Sequence, residues 1–259
     1  MDKDLLMLFI FLLTVILLFM FFMWKSSAAR HKKEIRQRDE EISDLMHDIK
    51  APLNSIKGFA GGIIDKTISR SEEEKYLGII KSEAQRVAKL AEDYAVYKRL
   101  DSTRLVKDNV RIYDLICEII LSFEKSITDK NIELKGLDII EASDVKTMEI
   151  IGDRHLLHRA FYNLILNAVN YTPEGGEIAL SLNSGSKTVS ISLSNTGEIR
   201  KEELNKIFLR NYRSDNSKGK KGTGLGLSIV KKIAVLHKGS VEALSENGKI
   251  TMRVTLPKK

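Results

Sequence analysis

Cysteine is nearly absent from this chain of 259 residues, and its one thiol is that of Cys117. A single cysteine excludes a disulfide within the chain and fits a reducing compartment. The sequence also lacks internal repeats, low-complexity tracts and the mixture of basic and aromatic residues that is typical of nucleic-acid readers. The net charge of +7 therefore does not predict a nucleic-acid partner, because much of the excess lies beside one apolar segment.

That apolar segment is the one long hydrophobic run, which extends from Leu5 to Trp24 with Thr14 as its only hydroxyl. About twenty apolar residues suffice for a helix to cross a bilayer. With four residues ahead of the run, we expect no extracellular domain. A cleaved signal peptide is the alternative, which the acidic leader and the length of the run disfavour.

Basic residues gather directly after the run, at Lys25, Arg30, Lys32, Lys33, Arg36 and Arg38. Positive charge stays on the cytoplasmic side of a membrane, where it also attracts anionic lipid. We therefore expect a single-pass protein of the cell membrane, with everything after Trp24 in the cytoplasm. Membrane lipid, or a sensor protein within the membrane, is the partner expected on this side.

Two amphipathic helices are predicted after the span. Isoleucine recurs at every seventh residue, at positions 35, 42, 49, 56 and 63, which predicts one helical seam. A polar break at residues 66–70 separates this helix from a second one with apolar residues at Leu77, Ile80, Ala84, Val87, Ala91 and Tyr94. Because one hairpin cannot bury both seams, we expect a homodimer with a four-helix bundle.

His47 lies on the face of the first helix that is turned away from the seam, beside the carboxylate of Asp48. An imidazole in this place is free to approach another molecule, although a solvated surface histidine is the alternative. Pro52 removes one backbone donor, so we expect a bend or hinge near His47.

From about Asp101 the pattern predicts a mixed β-sheet with helices on one face. The predicted strands are 105–110, 131–135, 177–182, 187–194, 240–244 and 249–256. The predicted helices are 112–128, 153–171, 201–210 and 225–237.

Three polar groups in this second region suggest a nucleotide site. Asn163, Asn167 and Asn170 share one face of a helix that Asp153 would cap, and their carboxamides can hold a metal ion or phosphate oxygens. Solvation alone would also explain such a stripe. The segment 195–197 (NTG) ends a strand and could let a planar base approach, although an ordinary turn has the same sequence.

The third group is a glycine loop, GTGLGL at residues 222–227, which opens a helix whose N-terminus favours phosphate. Five basic residues and one acid precede it within residues 210–221, and we expect them to form a cationic flap over polyphosphate. A dinucleotide-binding fold is disfavoured, because the loop follows a basic segment and not a strand.

Together these motifs resemble, over residues 30–259, the sensor histidine kinases of two-component systems. The segment 47–53 resembles their H box, 163–172 their N box, 195–197 their G1 box, 207–213 their F box and 222–227 their G2 box. The resemblance implies an α+β architecture with a transmembrane helix, a dimeric helical hairpin and an α/β-sandwich ATP-binding domain of the Bergerat type. The implied boundaries are 1–24 for the anchor, 25–40 for a signalling helix, 41–100 for the hairpin and 101–259 for the catalytic domain.

The resemblance also implies roles for individual residues. His47 would attack the γ-phosphate of ATP, Asp48 would accept a proton from and orient its ring, and Asn167 would bind Mg²⁺. The residues implied in binding ATP are Asn163, Asn167, Asn170, Tyr171, Asn195, Gly197, Arg213, Lys220, Lys221, Gly222, Thr223, Gly224, Leu225, Gly226 and Leu227.

Three positions depart from the family's pattern. Asn195 stands where the family has Asp, and the second glycine of the G1 box is missing, so we expect weaker nucleotide binding. Asn170 stands where the family often has lysine, so Arg213 or the flap lysines would take over a phosphate contact. Ala51 stands where the family has Thr or Asn, whose polar group positions a water for dephosphorylating the partner.

The sequence thus predicts a membrane-bound kinase that phosphorylates its own His47 and passes the phosphoryl group to an aspartate on a response-regulator receiver domain. The alternative is a pseudo-kinase that acts as a nucleotide-gated interaction module at the membrane.

Overall fold

The computed structural model describes residues 3–136, 148–212 and 223–258, and it contains two compact units, Met1–Ala84 and Gln85–Lys259. The boundary between the units falls inside the second long helix. The first unit is helical, as the heptad pattern predicts. The second unit has the predicted α/β character.

In the first unit, helix α1 (Lys3–Ile64) is continuous through Pro52, and it is followed by helix α2 (Glu73–Arg99). The break predicted at residues 66–70 is confirmed. Lys66 adopts a left-handed backbone with φ of 54°, and the N–H groups of Thr67 and Ile68 both donate to the carbonyl of Gly62 at 3.0 Å. The rings of Phe59 and Tyr76, 4.9 Å apart, join the two helices beyond this turn.

The helices of the second unit, besides the end of α2, are α3 (Ile112–Leu121), α4 (Glu124–Asp129), α5 (Arg154–Tyr171) and α6 (Gly226–Leu236). Its strands are β1 (Asp108–Arg111), β2 (Glu133–Lys135), β3 (Glu149–Gly152), β4 (Glu177–Ser184), β5 (Thr188–Thr196), β6 (Ser240–Glu246) and β7 (Lys249–Pro257).

Five of these strands form one mixed sheet in the order β2-β4-β5-β7-β6, and β1 pairs separately with β3. Strands β2 and β4 run parallel, and the other neighbours in the large sheet are antiparallel. Alternate residues of β5 and β7, such as Leu193 and its partner Met252, are buried on the face that carries α5 and α6. The predicted mixed sheet with helices on one face is confirmed.

Three elements differ from the sequence prediction. The helix expected over 112–128 is broken, because the Ser122 hydroxyl donates to the carbonyl of Ile119 at 2.6 Å and competes with the helical hydrogen bond there. The helix expected over 201–210 is wrong beyond a 3-10 turn at Lys201–Glu203, since most of its bonds join residues three apart. Strand β3 was not predicted, because the adjacent isoleucines Ile150 and Ile151 hide the period-two pattern in its sequence.

A buried histidine stabilises the junction between β3, α5 and α6. His237 Nε2 accepts from the backbone N–H of Asp153 at 2.9 Å, and Nδ1 lies 2.8 Å from the carbonyl of Ile233. The neutral ring with its proton on Nδ1 satisfies both contacts. Burial lowers the pKa of His237 from its ordinary value of 6.5.

We expect the free energy of unfolding of the second unit to fall as the pH drops below about 6.5. Below that value the unfolded chain binds a proton that the folded His237 resists, so acid favours unfolding. His237→Gln should lower stability at pH 7.5 but flatten its decline between pH 7.5 and 5.5, as measured by urea denaturation. The exposed His155 is the matched control, and an identical decline in His237→Gln and His155→Gln would contradict the assignment.

Candidate functional site

The candidate phosphate acceptor lies in the first unit, on α1. The His47 side chain is 88% exposed, and its Nδ1 lies 3.6 Å from Oδ1 of Asp48. This separation is slightly longer than a hydrogen bond. Ala51, one helical turn further on, is also exposed and offers no polar group. An exposed imidazole with an adjacent carboxylate is the arrangement that the sequence predicted.

The candidate nucleotide site lies in the second unit and is built around α5. Asp153 caps this helix, because its Oδ1 accepts from the backbone N–H groups of His155 and Leu156 at 3.1 Å each. The cap was predicted and is confirmed. It fixes the start of the helix that carries the three asparagines.

Those asparagines differ in exposure along the helix. Asn163 is 7% exposed, and its Nδ2 donates to the carbonyl of Gly226 at 3.4 Å. Asn167 is half-buried one turn later, and its carboxamide has no hydrogen-bond partner within the described part of the chain. Asn170 is exposed. The stripe therefore runs from the core towards solvent, and the amide at its middle position contacts no polar group of the described residues.

Lys130 fixes the other end of α5 and was missed by the sequence analysis. Its Nζ donates to the carbonyls of Val169 at 2.7 Å, Thr172 at 3.2 Å and Asn170 at 3.4 Å. A cation at a helix C-terminus satisfies the last carbonyls and the helix dipole. This cap holds the turn that carries Asn170 and the half-buried Tyr171.

Asn195 ends the buried strand β5 and is 6% exposed. Its Nδ2 donates to the carbonyl of Thr196 at 3.0 Å, and its Oδ1 has no partner among the described residues. Gly197 follows with φ of +151°, and a Cβ there would lie 3.1 Å from Cδ1 of Ile250. A glycine is needed here, and the Asn195 amide oxygen can accept a hydrogen bond from an adenine amino group.

The glycine loop leads directly into α6. Gly224 has φ of +69°, and a Cβ there would lie 3.2 Å from Cα of Asn211, so only glycine fits. Leu225 is buried in the core, and its backbone N–H lies 3.4 Å from Oγ1 of Thr223. Leu225 can therefore act on a nucleotide only through its backbone, while Gly226 and Leu227 are partly exposed.

The structure brings two of the predicted motifs into contact, because Asn163 of the N box touches Gly226 of the G2 box. Four predicted nucleotide-binding residues lie outside the described residues, namely Arg213, Lys220, Lys221 and Gly222. The cationic flap predicted within residues 210–221 is likewise outside them, except for Arg210, Asn211 and Tyr212.

Two buried carboxylates beside the site were also missed by the sequence analysis. Glu203 accepts from the Tyr212 hydroxyl at 2.8 Å and so fixes the F box. Asp93, near the end of α2, contacts both α5 and the glycine loop. A sequence signal existed for Asp93, since it falls on the buried stripe of Leu90 and Tyr97 at helical spacing.

The described residues fit a magnesium nucleotide. Mg²⁺ is usually held by one or two protein oxygens together with substrate phosphates, and the half-buried amide of Asn167 offers such an oxygen. Asn163, one turn before Asn167 on α5, contacts Gly226 at the N-terminus of α6, where backbone N–H groups favour phosphate.

Comparison with known families agrees with this geometry. Residues 152–259 match the family described as histidine kinase-, DNA gyrase B- and HSP90-like ATPase, and residues 37–103 match the His Kinase A (phospho-acceptor) domain. The fold is similar to that of histidine kinase ThkA in its crystal structure with the response regulator protein TrrA. The TM-score is 0.70 at 24% identity, over 85% of this chain and 61% of that one.

Two curated relatives are about equally similar. The sensor protein VanS of Enterococcus faecium is 30% identical over 86% of this chain and 58% of its own length. The sensor histidine kinase YvrG of Bacillus subtilis is 32% identical over 89% of this chain and 40% of its own length. The chain thus spans about half the length of these relatives. Its two matched domains and its relatives show that the chain belongs to the sensor histidine kinases of bacterial two-component systems.

Proposed function

We propose that this chain is a membrane-anchored, homodimeric kinase that phosphorylates its own His47 from ATP and passes the phosphoryl group to an aspartate of a response regulator. The observation that carries the proposal is the exposure of His47 beside Asp48. The hydrogen bond from Asn163 of the N box to Gly226 of the G2 box, in the second unit, supports it. We assign the anchor to residues 1–24, the signalling helix to 25–40, the hairpin to 41–100 and the catalytic domain to 101–259.

The proposed reaction forms a P–N bond and breaks the bond between the γ-phosphorus and the bridging oxygen. One ring nitrogen of His47 attacks, ADP leaves, and Asp48 takes up the proton from the other ring nitrogen. Asn167 would hold Mg²⁺, which supplies neutralising charge to the phosphates when bound. The free oxygen of Asn195 would accept from the adenine amino group, with Tyr171 lining the base.

The phosphates would lie along the glycine loop. We assign this contact to Gly222, Thr223, Gly224, Leu225, Gly226 and Leu227, and the charge that balances the phosphates to Arg213, Lys220 and Lys221.

Exposed apolar residues support the homodimer. Ile35, Ile42 and Leu53 on α1 and Leu77 on α2 are all exposed in the single chain. The first three lie in the heptad seam or its neighbouring turns, and leaving so much apolar surface in water is unfavourable. A second copy of the hairpin would cover them in a four-helix bundle.

One described helix segment supports the membrane anchor. Phe11–Ala28 has a mean hydropathy of 1.9 and is not buried by any other part of the described chain. Segments of this length and composition can cross a bilayer. The basic residues after Trp24 would then lie at the cytoplasmic surface.

The response regulator is proposed by similarity of fold, since ThkA was crystallised with the regulator TrrA. The proposal is tested by incubating the detergent-purified protein with Mg²⁺ and γ-labelled ATP, and then adding a receiver domain. We expect label on the kinase first and on the receiver afterwards. Nucleotide binding without any label would instead support a pseudo-kinase that acts as a nucleotide-gated interaction module at the membrane. The departures in the G1 box favour this alternative.

We expect little phosphatase activity towards the phosphorylated regulator, because Ala51 cannot hold a water in line with the aspartyl phosphate. Ala51→Thr should raise that activity by about tenfold, the effect of one positioned hydrogen bond, with autophosphorylation little changed. The decay of purified phospho-regulator, with kinase, ADP and Mg²⁺ present, measures the effect. Ala88→Thr makes the same change at an exposed site on α2. Rapid decay with the wild type, unchanged in Ala51→Thr, would show that another residue positions the water.

A further inference from the structure

Asp93 is a buried carboxylate to which none of the motifs assigns a role. It lies on α2 within the second unit and is only 3% exposed. A buried carboxylate is costly unless it is paired and hydrogen-bonded. Asp93 meets that requirement with three partners from three segments of the chain: Lys89 on α2, Arg159 on α5 and Thr223 on the glycine loop.

The first contact between segments holds the N-box helix. Arg159 Nη2 donates to Asp93 Oδ1 at 2.8 Å, and the arginine side chain is largely buried. Arg159 lies one turn before Asn163 and two turns before Asn167, on the same face of α5. The position of Arg159 therefore sets the position of the two asparagines relative to α2.

The second contact holds the glycine loop. The Thr223 hydroxyl donates to Asp93 Oδ2 at 2.9 Å, and the same oxygen of Thr223 lies 3.4 Å from the N–H of Leu225. Three residues after Thr223, the carbonyl of Gly226 accepts from Asn163. A series of contacts therefore leads from the Asp93 carboxylate through Thr223 and the glycine loop to Asn163 of the N box.

The charges around Asp93 also favour simultaneous contacts with α5 and with the glycine loop. Oδ1 pairs with the cations of Lys89 and Arg159, and Oδ2 accepts from Thr223 on the glycine loop. Two cations on one oxygen leave the other free to accept from a neutral hydroxyl. A carboxamide in place of the carboxylate would lose charge at the first oxygen and an acceptor at the second.

We propose that Asp93 is a positioning residue for nucleotide binding, which sets the distance between the N-box helix and the glycine loop by holding Arg159 with one oxygen and Thr223 with the other. The proposal rests on the proposed function, since it assumes that these two elements bind ATP. Asp93 would not touch the nucleotide itself.

The test measures the affinity of the full, detergent-purified chain for a non-hydrolysable ATP analogue with Mg²⁺, by calorimetry. We expect Asp93→Asn and Thr223→Val each to weaken binding by about tenfold, the effect of one hydrogen bond to a charged group. The double variant should be little worse than either single one, because both remove the same contact. Glu74→Gln, which changes an exposed carboxylate in the first turn of α2, is the matched control and should bind like the wild type.

Steady-state autophosphorylation separates positioning from a loss of folded protein. Poorer positioning raises KM for ATP by about tenfold and changes kcat by less than about twofold, whereas partial unfolding lowers the apparent kcat and leaves KM unchanged. Additive effects in the double variant would overturn the proposal. So would an unchanged affinity with a raised kcat, which would mean that Asp93 restrains the enzyme.

The binding measurement does not require kinase activity, so the two proposals can fail separately. Tight nucleotide binding that depends on Asp93, with no label on His47, would support this inference and contradict the proposed function. Labelling of His47 in the wild type, together with an unchanged nucleotide affinity in Asp93→Asn, would support the proposed function and contradict this inference.

Discussion

Replacing His47 with glutamine is expected to reduce ATP-dependent labelling of the protein to background. Glutamine has a similar length and polarity but no ring nitrogen that can attack phosphorus. Because His47 is exposed on α1, the substitution removes no packing, and the melting temperature should stay within about 2 °C of the wild type. In the wild type the label should be stable in base and labile in acid, as a P–N bond to imidazole is.

The matched control for this prediction is His155→Gln, which changes another exposed histidine on the first turn of α5. That variant should label as the wild type does. Equal labelling of His47→Gln and the wild type would show that the phosphoryl group resides elsewhere.

The second large effect is expected for Asn167→Ala. The amide of Asn167 is half-buried and unpaired within the described part of the chain, so its removal should not destabilise the fold. If it binds Mg²⁺, its loss should cost about 4 kcal/mol of transition-state stabilisation, which is about a thousandfold in rate. The rate of autophosphorylation at saturating ATP, measured over a range of Mg²⁺ concentrations, checks this.

Two outcomes of that measurement have opposite meanings. A large loss that high Mg²⁺ partly restores supports Asn167 as the ligand. An unchanged rate with an unchanged melting temperature would place the metal on other residues. His155→Gln, on the same helix, again controls for a general effect of substitutions in α5.

The sequence predicted best those features that have a period or a fixed local rule. The heptad spacing of the isoleucines predicted the long helix α1, and period-two alternation predicted the paired strands β5 and β7. Asp153 predicted the start of α5. Each of these depends on residues that lie close together along the chain. Local chemistry therefore suffices to predict them.

What the sequence could not show depends on contacts between distant residues. The helix expected over 201–210 gives way to turns around the buried Glu203, and one of its partners, Tyr212, lies beyond the expected helix. Lys130 caps a helix some forty residues further along the chain. Asp93 contacts Thr223 across 130 residues, and no residue near Asp93 in the sequence indicates that partner. Such pairs form only once the sheet and its helices are assembled.

The central claim, that the γ-phosphoryl group of ATP goes to His47, is tested most directly by locating that group on the wild-type protein. After reaction with Mg²⁺ and ATP, trypsin at neutral to mildly basic pH should release residues 39–50, which contain both His47 and Ser43. Fragmentation that preserves P–N bonds then separates the two sites. The account predicts one phosphoryl group on His47. A phosphoryl group on Ser43 or on another peptide, or none on a chain that binds the nucleotide, would contradict it.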